Sequence, residues 1–528
     1  MKITDQIKIA NYQRDESSAF TGTATNLYLP ENKDELIEIF KNTNENKTKI
    51  TISGAGTGIT GSRVPIHGGD IVSLEKITTP QVSLPDGYEI IKKLGFTIYL
   101  DKENKKAITP ASIPLSTLDS ILKEYNLEYP PDPTELSASL GGTVATNASG
   151  ARSFSYGATR EWVSSLNLIL PTAEVLNIQR DEIKAEDGKI KLNTKRFLSK
   201  AVGGTEEEQS SDSSAIAQNP DYLEINLPSQ EEYPMPDTKN AAGLFIKENM
   251  DLVDLFISSE GILACFLDIE VNLIERNPKT LTTIAYFDSE NDALDFVDSG
   301  IRNKNTFKYL SLEFFDHNAL ALMRKKYPDL PEAQAAILFE IKHNKDKYYP
   351  ENDILDTISM ELKKFKANAN WAVPYKKREE IRIFRHSLPE AVNDFARKHF
   401  GKIGTDMAVP HEKIKEMMQF YHEIATENKI PYVIFGHIGS DHVHMNFLPE
   451  SEEQAKRAKE IYTQIAQKAV EFQGTVSAEH GVGKKEILIN GELVPYLEVQ
   501  YGKKGLEIIS NIKKTFDPNL ILNVGNMV

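Results

Sequence analysis

The chain has 528 residues, a formal net charge of −16, 40% hydrophobic and 9% aromatic residues, and a single cysteine, Cys265. That length exceeds one ordinary core and predicts two or three domains. The acidic balance excludes nucleic acid as a partner, since phosphate binding needs a basic face, and one cysteine excludes an internal disulfide and a cysteine-ligated iron–sulfur cluster.

The N-terminal stretch MKITDQIKIANYQRDESS lacks the apolar core of a signal peptide. Residues 31–46 read as a helix with Leu36, Ile37, Ile39 and Phe40 on its apolar face. The strand KITI at 49–52 then runs into Ser53-Gly54-Ala55-Gly56-Thr57-Gly58-Ile59-Thr60-Gly61-Ser62. A strand entering glycines interspersed with hydroxyls is a nest for a pyrophosphate. It is not a Rossmann fingerprint, because Val64-Pro65 and Ile71–Leu74 suggest another strand rather than a helix, and no Gly-Lys-Ser/Thr follows to make a Walker loop. Short strands follow around Ile71–Leu74, Glu89–Ile91, Thr97–Leu100 and Ala107–Thr109, then a helix over Pro114–Tyr125.

The second glycine stretch, Tyr129–Gly157, reads YPPDPTELSASLGGTVATNASGARSFSYG. Its small side chains allow backbone to approach a flat, partly anionic ligand closely. Trp162–Leu170 and Glu174–Ile178 predict a hairpin around Pro171-Thr172. Residues 179–239 are rich in Glu, Ser, Asp and Pro and read as an acidic insertion or exposed loop without function. Leu252–Ile274 is the most apolar run, but Asp254, Glu260, Asp268 and Glu270 interrupt it, so it is not a membrane span. Pro278 marks a domain boundary. Alternating strand-like and helix-like segments over 280–430 then predict an antiparallel sheet with helices on one side.

Four of the eleven histidines sit in two short stretches, Gly436–Asn446 and Ser477–Gly483. Alternation in an extended segment puts His442, His444 and Asn446 on one face, and a turn at Gly439 brings His437 back to them. Two imidazoles with the carboxylate of Glu479 make a site for a divalent metal, zinc or manganese, with positions open to substrate.

SGAGTGITGS followed by the second glycine stretch resembles the FAD-binding domain of the vanillyl-alcohol oxidase type, and more closely the flavin-dependent D-2-hydroxy acid dehydrogenases, which include D-lactate dehydrogenase, D-2-hydroxyglutarate dehydrogenase and the flavin subunit of glycolate oxidase. The resemblance runs from about Pro30 through the rest of the sequence, with one insertion. It implies an α+β protein: a two-subdomain FAD-binding domain (1–277), an α/β cap domain with an antiparallel sheet and the metal site (278–490), and a segment returning to the FAD domain (491–528).

By this likeness FAD lies on Gly54, Gly56, Thr57, Gly58, Thr60, Gly61 and Ser62 at one end. At the other it lies on Pro131, Asp132, Gly141, Gly142, Ala145, Asn147, Ser149, Gly150, Tyr156 and Gly157, with Glu260, Gly261 and Asn446 beside it. No histidine falls in 54–62, so the flavin is expected to be non-covalent. His437, His444 and Glu479 match the family's metal ligands, His480 its base, and Arg385 its carboxylate clamp, with Arg382 a rival within one turn and Lys402 a second positive charge.

The chain departs from the family at three places. Ile262–Cys265 replaces a Gly-rich turn, Ser440-Asp441-His442 stands where Asp-Gly-Asn is usual, and Val524 and Asn526 replace a terminal proline and lysine. The implied activity is oxidation of a D-2-hydroxy acid to the 2-oxo acid. Electrons then pass to a quinone, a cytochrome, an electron-transfer flavoprotein or an iron–sulfur subunit. The alternatives are a non-redox alkyl-transfer synthase of the same fold, a metal-dependent hydrolase and a non-catalytic flavin-binding subunit. The expected location is cytoplasmic, or peripheral to a membrane through a partner.

Overall fold

The computed structural model describes residues 1–17, 19–199, 222–276, 280–342, 352–372, 375–489 and 491–528. Pro278 and residues 200–221 of the acidic stretch lie outside them.

The chain opens with a small sheet in which Leu27–Tyr28 and Ile50–Ser53 both run parallel to Asp70–Ser73. The helix Lys33–Glu45 covers it, started by the Asn32 side chain accepting from Glu35 N and burying Leu36, Ile37 and Phe40. The strand Ile50–Ser53 delivers the first glycine loop from this sheet. A seven-stranded antiparallel sheet follows, with Val163–Ile169, Cys265–Asn272 and Lys106–Pro110 adjacent near its centre. The predicted hairpin is present, with Ile169 opposite Val175. The second glycine stretch crosses this sheet as the short helix Leu140–Ala145, capped by Ser139.

The cap is a second seven-stranded antiparallel sheet, whose central strands Thr280–Phe287, Ala335–Lys342 and Tyr309–Asp316 pair along their lengths. The helices lie on both faces rather than on one side. Ala285, Phe287, Ile337 and Phe339 pack with Phe296 of the helix Glu290–Arg302. The alternate residues Ile284, Tyr286 and Leu338 pack with Leu320 and Phe384 from the helices His317–Arg324 and Tyr375–Lys398. Every residue of Tyr309–Asp316 is buried, so neither face of that strand meets water.

Segments of 179–239 are built into the fold. Lys189–Asn193 pairs antiparallel with Tyr222–Asn226 and buries Ile190, Leu192 and Ile225. Tyr233 stacks on Tyr501 at a ring-centroid distance of 4.0 Å. The apolar residues that anchor this segment are sparse among its acidic ones, which hid the alternation. Beyond the helix Leu497–Phe516 the chain returns to the first sheet, where Ile50 N donates to Ile521 O and Asn523 N to Ile50 O, both at 2.8 Å.

Candidate active site

One cavity of about 1430 Å³ is lined by both glycine stretches and by Arg385, His437, His444, Asn446, Glu479 and His480. That volume exceeds a single small-molecule pocket and holds a dinucleotide with a small substrate beside it. Of the expected cofactor residues, Gly54, Gly56, Thr57, Gly58, Thr60, Ser62, Gly141, Gly142, Ala145, Ser149, Glu260, Gly261 and Asn446 line it. A side chain at Gly58 would meet nothing within 4 Å, and one at Gly142 would meet only Ser139 Oγ, at 3.2 Å, so both positions open their backbone to the cavity. This cradle of amides and hydroxyls fits FAD. Gly54–Ser62 would hold the pyrophosphate and the 138–149 segment the ring systems.

Other expected cofactor residues do different work. Gly61 N donates to Asp15 Oδ2 at 2.7 Å, tying the loop to an N-terminal segment that folds over it. Asn147 Oδ1 accepts from Arg160 N at 2.9 Å and its amide donates to Asn240 O at 3.2 Å, so it holds the turn rather than the ligand. Gly150 backs onto Asp132, whose carbonyl oxygen a Cβ would meet at 1.8 Å, and Pro131 is buried beside it. The Asp132 carboxylate faces Arg152, which donates to Glu340 Oε2 at 3.0 Å and so joins the glycine stretch to the cap sheet. Tyr156 ends the short helix Ser153–Tyr156, Gly157 caps it at φ 77°, and Trp162 donates to Tyr156 O.

Glu260 reaches the cavity wall, but its carboxylate is spent on protein donors. It accepts from Ser62 Oγ at 2.6 Å, Val482 N at 2.7 Å and Gly483 N at 2.8 Å. Its backbone oxygen accepts from the amides of Asn523 and Asn526. It therefore clamps the first glycine loop to the loop that follows His480. Asn526, standing where the family has lysine, takes part in this clamp.

The titratable groups form two rows. The front row, His437, His444, Glu479 and His480, lines the cavity, whereas Lys239, His442 and Asp406 lie behind it. The turn Ile438–Ser440, closed by Asp441 at φ 52°, brings the histidines together as the spacing predicted. His444 Nδ1 donates to Thr405 O at 2.9 Å, which leaves Nε2 as a lone pair 3.7 Å from Glu479 Oε2. His437 Nδ1 pairs with Glu313 Oε1 at 2.6 Å and points Nε2 at Glu479 Oε1, 3.1 Å away. An imidazole with one nitrogen tied to an oxygen and the other aimed at the site is the form metal ligands take.

Of the expected trio, His444 and Glu479 belong to a donor cluster that could hold a divalent ion. The tightest donor set, with ligand atoms within 4.8 Å of one another, keeps His444 and Glu479 but adds Asp406 and His442 instead of His437. His437 is not in that set; its Nδ1 pairs with Glu313 Oε1 and its Nε2 with Glu479 Oε1.

The electrostatics follow from burial among opposite charges. Burial opposes ionisation of Glu479, yet Lys239 and His437 hold its carboxyl well below the usual range. Burial likewise works against the charge on His437, but Glu313 and Glu479 raise it to about 9. Burial and the Lys239 ammonium push His442 down to about 3, so it is neutral. Arg385, on the helix Tyr375–Lys398, donates from Nε to Glu313 Oε2 at 3.0 Å. That leaves the outer edge of its guanidinium for the cavity. Lys402 also lines the cavity, and burial lowers its pKa. The side chain of Arg382 lies outside the described residues.

Sequence reasoning missed Lys239, Glu313 and Asp406. Lys239 Nζ contacts Glu479 Oε1 and lies 3.3 Å from His442 Nδ1. Asp406 Oδ2 accepts from Ser477 Oγ at 2.6 Å and from His480 N at 3.0 Å. Asp406 is the single titratable residue of Gly404–Pro410, and no pattern in that short segment marks it.

Residues 24–179 match the family described as "FAD binding domain", and residues 276–527 match "FAD linked oxidases, C-terminal domain". The chain is 24% identical to the glycolate oxidase subunit GlcD of Bacillus subtilis, covering 98% of this chain and 91% of that one. It is 26% identical to a D-lactate dehydrogenase of Archaeoglobus fulgidus, covering 94% and 90%. It is 22% identical to a D-2-hydroxyglutarate dehydrogenase of Xanthomonas citri, covering 99% and 93%. Among solved structures, an alkyldihydroxyacetonephosphate synthase shares the fold at a TM-score of 0.61 and 14% identity, over 99% of this chain and 82% of that one. With a glycine cradle shaped for a dinucleotide, a cap closing over it, and both halves matched, the chain belongs to the FAD-linked oxidases of the vanillyl-alcohol oxidase fold and is an oxidoreductase.

Proposed function

We propose that the enzyme oxidises a small D-2-hydroxy acid to the 2-oxo acid. The observation that carries this reading is the convergence of Arg385, His444, Glu479 and His480 on the cavity that the two glycine loops line. FAD, when bound, would supply the hydride acceptor, and a divalent ion, which His437, His444 and Glu479 would hold, would supply Lewis-acid chemistry. Arg385 binds the substrate carboxylate with the guanidinium edge that Glu313 leaves free, and Glu313 fixes the plane of that edge. Lys402 adds positive charge to the same cavity. His480 presents Nδ1 to Asp406 at 3.2 Å, which leaves Nε2 to take the hydroxyl proton.

The two electrons leave through an external acceptor, a quinone, cytochrome, electron-transfer flavoprotein or iron–sulfur subunit. Among the described residues no helix is long and apolar enough to cross a membrane. The deciding experiment mixes the anaerobic flavoprotein with a panel of D-2-hydroxy acids and follows bleaching of the flavin. Stoichiometric 2-oxo acid with acceptor reduction supports the reading. A flavin that no hydroxy acid bleaches sinks it, and turnover without net redox points to an alkyl-transfer synthase instead.

A further inference from the structure

The first glycine loop carries a cation at its exit. Arg63 follows Ser62, and its guanidinium folds back across Gly56, where an added Cβ would lie 1.8 Å from Arg63 Nη1. Gly56 sits at φ 89°, so its backbone and its missing side chain together admit that approach. The guanidinium is poorly supplied with acceptors. Its Nη2 donates to Asn11 O at a long 3.4 Å, its Nε is buried with no hydrogen-bond partner, and its central carbon lies 5.4 Å from the centre of the Tyr12 ring. Asp15 and Glu75 favour its charge through space without bonding to it. Both are committed elsewhere. Asp15 accepts from Gly61 N at 2.7 Å and from Ser17 Oγ at 2.6 Å, and Glu75 accepts from Tyr12 OH at 2.8 Å. Burial lowers the pKa of Arg63, because its cost outweighs the attraction of these acids.

Arg63, Tyr12, Asp15 and Glu75 all line the cavity. Asn11, Tyr12 and Asp15 precede the matched FAD-binding region, which begins at residue 24. Their segment is joined to the glycine loop by Glu16 N, which donates to Gly58 O at 3.0 Å, as well as by Asp15. We propose that Arg63, braced by Asn11 and Tyr12, binds the diphosphate of FAD, so that the N-terminal segment is part of the dinucleotide site. Loop amides offer a diphosphate only partial charges, whereas a guanidinium offers a full charge and planar donors that match phosphate oxygens. The same cation gives the site its preference for FAD over riboflavin, which has the ring system but no phosphate. The proposal rests on FAD as the occupant of the cradle and is independent of which hydroxy acid is oxidised. Arg63 is a binding residue with no part in the chemical step.

Two measurements on the full-length protein test this role, and neither needs turnover. In the first, protein freed of flavin is titrated with FAD and with riboflavin, each followed by quenching of flavin fluorescence. Arg63→Gln should weaken FAD binding about 10–100-fold, as loss of a hydrogen bond to a charged group does. Riboflavin affinity should change less than about twofold, within the spread of a surface substitution. Arg63→Lys keeps the charge but not the planar fork, and should weaken FAD about 3–10-fold. Tyr12→Leu keeps Arg63 but removes the ring beside it, and should weaken FAD by a similar factor. Raising the salt from about 0.05 to 0.5 M should cost the wild type more FAD affinity than it costs R63Q, because screening acts on the charge that R63Q lacks.

The second measurement reads the contact itself. Phosphorus-31 spectra of bound FAD, taken at saturation, should show the phosphate resonances displaced between wild type and R63Q while the visible flavin spectrum stays the same. Unchanged FAD affinity in R63Q, an equal loss of FAD and riboflavin affinity, equal salt slopes, or phosphorus resonances that do not move each overturns the proposal. A wild-type apoprotein that binds no FAD is a different result, which removes the cofactor assignment and the role of Arg63 with it. Should R63Q fail to fold, R63K and Y12L, taken through the same titrations and phosphorus spectra, decide.

Discussion

Removing the carboxylate of Glu260 should loosen the flavin loop and the catalytic loop together. Its two oxygens accept from Ser62 Oγ, Val482 N and Gly483 N, and all three partners come from segments that wall the cavity. Glu260→Ala leaves three donors without an acceptor, at about 1–3 kcal/mol each where water does not reach them, a loss of about 3–9 kcal/mol. That is a large share of the roughly 5–15 kcal/mol that holds a domain folded. Glu260→Gln keeps one oxygen and turns an amide toward the remaining donors. It also relieves the cost of burying a charge, which pushes the Glu260 carboxyl up in the native protein, so the net loss should be about 1–2 kcal/mol. The assay is the thermal midpoint of the protein with and without added FAD, together with the FAD dissociation constant from fluorescence quenching. The expected order is wild type, then E260Q, then E260A, in both quantities. If E260A matches the wild type in midpoint and FAD affinity, the clamp is not what joins the two loops.

The ion pair at His411 should make stability fall in alkali. Its hydrogen bond to Asp441, with a second to Asp298, raises His411 to about 9 against the cost of burial. Because the folded value lies above the unfolded one of about 6.5, the stabilisation is complete below pH 6.5 and is lost as pH rises through about 9. Unfolding midpoints between pH 6 and 10 should therefore converge for wild type and His411→Gln at the alkaline end, and parallel curves would refute the assignment. His444→Ala should strip the divalent ion, read by elemental analysis, while the visible flavin spectrum is unchanged; a lost flavin would mean the two sites are not separable. Gly142→Val should weaken FAD binding by at least about tenfold with little change in the apo thermal midpoint, because its Cβ points into the cavity and meets only Ser139 Oγ. Equal affinity would remove Gly142 from the cofactor wall.

What the sequence disclosed was whatever it writes locally. The strand-to-glycine step at Ile52–Gly54, the hairpin around Pro171 and the histidine spacing at 437–446 each depend on residues a few positions apart, and each stands in the structure. The cap's two-faced sheet was legible as strands but not as a layer order, because the alternation Leu310-Ser311-Leu312-Glu313-Phe314 reads as one buried face whereas all of Tyr309–Asp316 is buried. Lys239, Glu313 and Asp406 were illegible for a different reason. Lys239 meets Glu479 across 240 positions, and Ser477 meets Asp406 across 71. A single charged residue carries no period, and Lys239 sits in a run whose composition reads as solvent. Asn240 and Ala241, just past the end of that run, were the available signal. Asn147, Tyr156 and Gly157 entered the cofactor set through the family resemblance of the whole stretch Tyr129–Gly157. Asn147 and Gly157 both turn at positive φ, and the Asn147 side chain is tied to Arg160 N and Asn240 O, while Ala148 and Ser149 beyond it line the cavity.

The return of residues 521–527 to the first sheet sets a clock on maturation. Ile52 N donates to the side chain of Asn523 at 2.7 Å, and Met527 N donates to Gly483 O at 2.8 Å. A ribosome must add 471 residues after Ile52 before that partner exists. Throughout synthesis the strand carrying the flavin loop has an open edge, and Glu260 waits for the amides of Asn523 and Asn526. Capture of FAD is therefore a late, post-assembly event rather than one that accompanies emergence of the N-terminal half. An N-terminal fragment should accumulate as a colourless, edge-exposed chain, and adding back the missing half in trans would be needed to turn it yellow.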